Sequence, residues 1–281
     1  ATGYRNTNIV LGIIVIIIMA ICVFSIVEIN PPTQSAGKSS LVKDISSLVK
    51  NKYYIMFLGE VFFLFLGYLS MYGAMQYYYT YIVGDVSGMS LALTLLTLLA
   101  IPTMILAAYL NGKGIAKIKL IQFGAIVDII GYAILFFTSD GTIATAALGL
   151  IGLGFGFRSS MFFSMMPDIF DYTEWQVGRN LGGTQNAIQG FVTKVSSAAA
   201  SAIVSALLVW GNYDASKLDK AIADGVDIAT KYPQTHTAIN FAFGGLALVS
   251  TVMAVVVLLP YDLDKKYPQI RADLDKRHKE N

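Results

Sequence analysis

The fold class this chain predicts is an all-α membrane protein with seven transmembrane helices, and three observations predict it. Hydrophobic residues make up 55% of its 281 and charged residues only 14%, where a soluble domain carries about 25% charged; the mean hydropathy is +0.61. Apolar runs long enough to cross about 30 Å of hydrocarbon, which takes about 20 residues, occur seven times. The breaks between those runs carry residues that stop or turn helices.

Taken in order, the first run covers 9–27 and ends before Asn30-Pro31-Pro32. A serine-containing segment over 30–52 reads as a linker. Within it Leu41, Ile45 and Leu48 fall at i, i+4 and i+7, which predicts a short amphipathic helix on a membrane surface. The second run, 54–82, closes at Gly84-Asp85, the third, 89–110, at Asn111-Gly112, and the fourth, 119–138, at Ser139-Asp140-Gly141. The fifth, 143–166, leads into a charged stretch from Asp168 to Arg179 that reads as a loop. The sixth, 184–210, stops at Gly211-Asn212, and the mixed-charge segment from Gly211 to Thr235 reads as a solvated cap. The seventh, 237–259, follows Tyr232-Pro233, and the charge-alternating tail from Tyr261 reads as helical or disordered, attracted to an anionic leaflet. Tyr and Trp gather at run ends, as interfacial belts do.

Lys and Arg are divided unequally between alternate loops. One set holds Lys38, Lys43, Lys50, Lys52, Lys113, Lys117, Lys119, Arg179 and the six of the tail; the other holds only Arg5, Lys217, Lys220 and Lys231. The positive-inside rule then expects an outer N-terminus and a cytoplasmic C-terminus, in a cell membrane. The net charge of +2 carries no signal for nucleic acid, and none is expected as a partner; membrane lipid is. The single cysteine, Cys22, has no partner for a disulfide. The chain enters a span almost at once from Ala1, with no basic leader, and is expected to be a portion of a longer protein.

Four ionisable residues fall within the runs: Glu60, Asp128, Arg158 and Lys194. A charge at bilayer depth costs about 2.5–3.5 kcal/mol on insertion scales, so each marks a pairing or a pathway. By rise per residue Glu60, Asp128 and Arg158 lie about 10–14 Å from the cytoplasmic ends of their helices, so either acid can pair with Arg158 and hold helices together. Lys194 reads as a functional, buried ammonium, because Gln185, Asn186, Gln189 and Thr193 precede it in the same helix, and Asn186, Gln189 and Thr193 share a face that lipid does not suit. Tyr68, Tyr72, Gln76 and Tyr79 follow i, i+4, i+8 and i+11 on one face of the second run, and stacked, hydroxyl-bearing rings suit a polyhydroxylated ligand. Gly152 and Gly156 have the spacing of close helix packing. No His or Cys cluster and no activated serine is evident, so neither an enzyme nor a cofactor is expected.

The stretch Asp168, Asp171, Tyr172, Glu174, Trp175, Gly178, then Gln189 and Lys194, and the ending Tyr77 to Gly84 of the second run, resemble the glycoside-pentoside-hexuronide:cation symporters, the melibiose-carrier group of the major facilitator superfamily. Such carriers have twelve helices in two six-helix halves. The resemblance implies that 1–29 is the last helix of the first half, 30–52 the central cytoplasmic linker, 53–260 the C-terminal six-helix half and 261–281 a cytoplasmic tail. It implies a sugar or glycoside carried with Na+ or H+ by alternating access, with a missing N-terminal half as partner. Lys194 is then the central lysine near the cation and sugar sites, with Gln189, Asn186, Thr193, Tyr68, Tyr72 and Gln76 as candidate binding residues. Asp168, Asp171, Glu174 and Arg179 belong to a cytoplasmic gate that closes against basic residues of the first half. The chain departs from the pattern at Asn180 and Gly182, where a base and an acid are usual. Two alternatives stay open: a seven-helix receptor or retinal-type protein, and a lipid or drug carrier of the same superfamily.

Overall fold

The computed structural model describes residues 2–25 and 41–280, with side chains over 7–25 and 42–278. The Asn30-Pro31-Pro32 break and the first part of the expected linker lie outside the described residues. Two compact units form, Ala1–Ser39 and Ser40–Asn281. The first contains α1, Thr2–Ser25, whose 24 residues span about 36 Å at 1.5 Å each.

The second unit begins with α2, Leu41–Lys50, the short helix that the Leu41, Ile45, Leu48 spacing predicts. Six membrane-length helices follow: α3 Lys52–Val83, α4 Ser87–Gly112, α5 Lys117–Phe137, α6 Gly141–Val177, α7 Gly182–Trp210 and, after the short helices α8 Ala215–Ala223 and α9 Ile228–Lys231, α10 Pro233–Leu258. The last helix is α11, Leu263–Glu280. With α1, seven described helices are long and apolar enough to cross a membrane, and the described residues contain no strand.

Local chemistry sets the helix ends. Asn51 caps α3, its Oδ1 accepting from the backbone of Tyr53 and Tyr54, and Asp140 caps α6 through Thr142 and Ile143. Gly84 and Gly178, at φ +74° and +78°, end α3 and α6 in the left-handed conformation that glycine adopts freely. Asp214 and Asp227 cap the two short helices of the expected solvated segment.

One boundary differs from expectation. α6 does not stop near 166 but continues past Pro167 to Val177, so most of the charged stretch is helix and only 178–181 is loop. Pro167 is exposed and interrupts a single turn. Beyond it Ile169 and Thr173 are fully buried, which gives the extension an inward face. Its 37 residues run about 55 Å, more than the hydrocarbon thickness, so its charged end projects past the apolar layer.

α6 is the most enclosed of the six. Gly149, Gly152 and Gly156 let it lie against α4: a Cβ on Gly156 would meet Thr103 Oγ1 and the Ala100 carbonyl, and one on Gly152 the Leu96 carbonyl. On its other side Gly154 meets Gly124 of α5. α7 and α10 pack on α3, and α10 also on α5.

Candidate functional site

α7 presents two unlike faces. Gln185, Ser196, Ala200 and Val204 are buried against the bundle. On the opposite side Gly183, Asn186, Gly190, Lys194, Ala198, Ser201 and Ser205 are exposed, a strip of small and polar residues with one ammonium. Lys194 is therefore not buried within this chain, contrary to expectation; it lies about 200° round the helix from Ser196, away from α3. It makes no ion pair and no hydrogen bond with any described residue.

The other polar residues of α7 separate by direction. Asn186 is exposed, while Gln189 and Thr193 are half-buried and the Thr193 hydroxyl donates to the Gln189 carbonyl at 3.0 Å. Gln185 turns inward. Its Nε2 donates to Thr173 Oγ1 at 2.9 Å, and its backbone carbonyl accepts from the Tyr54 hydroxyl at 2.7 Å. Asn51 Nδ2 also donates to Thr173 Oγ1, at 2.8 Å. This network ties α3, α6 and α7 at one end; the sequence shows Gln185 only as one of the polar residues preceding Lys194 and does not show its partners.

On α3, Tyr68 and Tyr72 are brought together, hydroxyl to hydroxyl at 3.0 Å, and the Tyr68 ring stacks on Phe155 of α6 at 4.9 Å. Tyr72 and Gln76 are exposed on the same face. Tyr79 is buried instead, with its hydroxyl 3.2 Å from Thr145 Oγ1, at the point where α3 closes in a π-helical turn over Tyr78–Val83. No hydrogen bond joins Lys194 to Tyr68, Tyr72 or Gln76.

Glu60, Asp128 and Arg158 meet in one cluster across α3, α5 and α6, each 3% exposed or less. Arg158 donates through Nη2 to Glu60 Oε1 at 2.9 Å and through Nη1 to Asp128 Oδ2 at 3.0 Å. Both acids engage the arginine, where sequence left open which would.

The four residues expected at a gate all find partners inside the chain. Asp168 pairs with Lys117 at 2.6 Å. Asp171 accepts from Tyr267 at 2.7 Å and Arg271 at 3.1 Å, and Glu174 lies 2.7 Å from His278 Nε2. Arg179 pairs with Asp44 of α2. The tail is thus helical, one of the two forms expected, and is held by the bundle. α11 docks across the end of α6 with Leu263, Ile270 and Leu274 buried, and Trp175 adds a bond to Asp273 at 3.2 Å. Apolar residues at 263, 267, 270 and 274 were the sequence signal for that docking. Before α11, Asp262 accepts from Lys266 at 2.7 Å and Tyr53 at 2.5 Å; these bonds hold its carboxyl well below the usual carboxylate range and push Lys266 up.

Comparison with known proteins gives relatives of one kind. Over 282 residues the chain is 25% identical to the isoprimeverose transporter of Lactiplantibacillus pentosus, covering 99% of this chain and 56% of that protein. It is 26% identical over 271 residues to the inner membrane symporter YicJ of Escherichia coli, covering 94% of this chain and 54% of that protein. The chain spans about half the length of the curated relatives it matches. The family model described as MFS/sugar transport protein matches residues 1–265, nearly the whole length over which the seven apolar helices and the Lys194 strip are laid out, and to that family this chain belongs.

Proposed function

We propose that this chain is the C-terminal part of a cation-coupled sugar or glycoside symporter that works by alternating access. In this reading 1–29 is the last helix of the first half, 30–52 the linker, 53–260 the second six-helix half and 261–281 a tail with its end in the cytoplasm. One observation carries it: an unpaired ammonium, Lys194, stands on an exposed strip of small and polar residues along a membrane-length helix. Lipid does not suit such a strip, and a facing half enclosing a water-filled sugar path does. Lys194 has no counter-charge in its own half, so the acidic residues that complete its site belong to the other. Tyr68, Tyr72 and Gln76 offer stacking and hydroxyl contacts to a sugar, and Asn186, Gln189 and Thr193 offer amide and hydroxyl groups beside the lysine.

Asp168, Asp171, Glu174 and Arg179 form the cytoplasmic gate. Their partners on α2, α5 and α11 give the gate a local set of contacts that can exchange for contacts with the first half when the halves rock.

In the full-length transporter, Lys194→Ala is expected to lower cation-driven sugar accumulation at least about tenfold, the scale of one charge-assisted contact, with protein level and thermal stability unchanged. Undiminished accumulation in that variant would remove Lys194 from the site.

A further inference from the structure

Within the Glu60, Asp128 and Arg158 cluster the charges do not balance. Two carboxylates face one guanidinium, so with all three ionised the cluster carries one net negative charge, and every member is almost fully buried at membrane depth. An uncompensated charge there is costly, and the usual resolution is a change of protonation.

The hydrogen bonds point to which acid is neutral. Each carboxylate gives one oxygen to Arg158, and Glu60 Oε2 and Asp128 Oδ1 have no donor. What the spare oxygen faces is defined for Asp128. The Gly124 carbonyl oxygen stands 2.5 Å from the point a Gly154 Cβ would occupy, and Asp128 Oδ1 stands closer still to the same point. Two acceptor oxygens thus occupy the space that a side chain at Gly154 would fill, where α5 and α6 lie closely together. The surroundings supply no other cation: Tyr132 is one turn along α5, Tyr68 and Tyr72 lie on α3, and α10 carries no ionisable residue between 237 and 258.

We propose that Asp128 is a proton-binding site of this half, holding a proton on Oδ1 at neutral pH. A hydrogen on Oδ1 turns the crowded acceptor into a donor toward the Gly124 carbonyl. Oδ2 then acts as the carbonyl oxygen that accepts from Arg158 Nη1, Glu60 alone supplies the counter-charge, and the cluster is neutral. A hydrated or many-coordinate metal cation has no such fit, because Oδ1 is pressed against backbone. Gly154 belongs to the site by absence: only a residue without a Cβ leaves space for the acid.

Two roles therefore separate for residues with the same nominal charge. Asp128→Asn reproduces the protonated acid, one oxygen accepting and one NH2 donating, and is expected to keep the melting temperature at neutral pH. Glu60→Gln removes the counter-charge that Arg158 has at neutral pH, so Asp128 has to give up its Oδ1 proton to replace it, and a lower melting temperature than that of Asp128→Asn is expected. A proton held in the folded state and released on unfolding stabilises the fold at low pH, and that contribution is lost as pH rises through the folded-state titration. Wild-type stability should fall accordingly as pH rises from about 4, the free carboxyl's value, to the folded-state titration, and Asp128→Asn should flatten the fall.

The test is infrared difference spectroscopy of the whole protein in lipid nanodiscs, titrated with pH and compared with both variants. The expected result is a carboxylic-acid C=O stretch at neutral pH, shifted by deuteration, lost at alkaline pH and absent in Asp128→Asn. No such band in wild type, a band that persists in Asp128→Asn, or a loss of stability in Asp128→Asn as large as that of Glu60→Gln, overturns the proposal.

Discussion

At the scale of single residues, the bundle depends on a few positions where a side chain has no freedom to change. Arg158 holds two acids from two other helices, and Arg158→Met leaves Glu60 as a buried carboxylate without its counter-charge. Breaking a buried pair in this way costs about 3–5 kcal/mol, so detergent-solubilised Arg158→Met should melt well below wild type. Arg158→Lys keeps the charge but loses the fork that reaches both acids and should fall between them. The glycines give a second contrast. Gly156→Ala places a methyl group onto the Ala100 carbonyl, which cannot move without shifting α4, and overpacking of this kind costs about 1–3 kcal/mol. Gly190→Ala meets nothing within 4 Å and should be neutral or gain up to about 1 kcal/mol from helix propensity. Equal melting temperatures for the two alanine variants would show that α6 and α4 are not in the close contact described.

At the scale of elements, α11 shows how apolar and ionic contacts divide their work. Its bonds to Asp171 and Glu174 are partly open to water, where an ion pair contributes about 0–1 kcal/mol. Leu274 is buried, and its loss costs about 2–5 kcal/mol. Leu274→Ala should therefore free the tail, seen as faster amide exchange over 263–280 and as proteolysis there, while Asp171→Asn should leave exchange nearly unchanged. The Asp262 contacts add a sign: its folded-state titration is depressed by Lys266 and Tyr53, so its contribution is present above about pH 4 and lost as pH falls through the folded value. Tail protection should thus show no Asp262-linked change between about pH 5 and pH 8, and should weaken only in acid. What sequence made legible at this scale was periodicity and punctuation. The spans, the Asp140 break before α6 and the Gly84 break after α3 could be read in order. The extension of α6 past Pro167 could not, since a proline amid charges reads as a break until Ile169 and Thr173 are seen to face a neighbour. The burial of Tyr79, against the exposure of Tyr72, was also hidden, because spacing groups residues on a face without saying which edge of it meets a neighbour.

At the scale of the whole molecule, the two faces of α7 make different demands, and a thiol scan can read them apart. Cys22 is the only cysteine of this chain, so Cys22→Ala, together with replacement of every cysteine in the first half, gives a silent background for single replacements in the full-length transporter. Ser201→Cys and Ser205→Cys lie on the exposed strip with Lys194, and Ser196→Cys and Ala200→Cys lie on the packed side. If a water-filled path runs along that strip, a membrane-impermeant maleimide should label the first pair and leave the second pair unlabelled, since a maleimide needs a hydrated thiolate. Phe191, on the flank of the strip and strongly exposed, supplies the lipid-facing comparison, and Phe191→Cys should label poorly. A transported sugar added with its coupling cation should slow labelling at Ser201→Cys, which is two turns from Lys194, more than at Ser205→Cys, one turn further on. Labelling that follows depth along α7 but ignores direction around it would mean that the strip faces lipid, and the Lys194 site would have to be placed elsewhere.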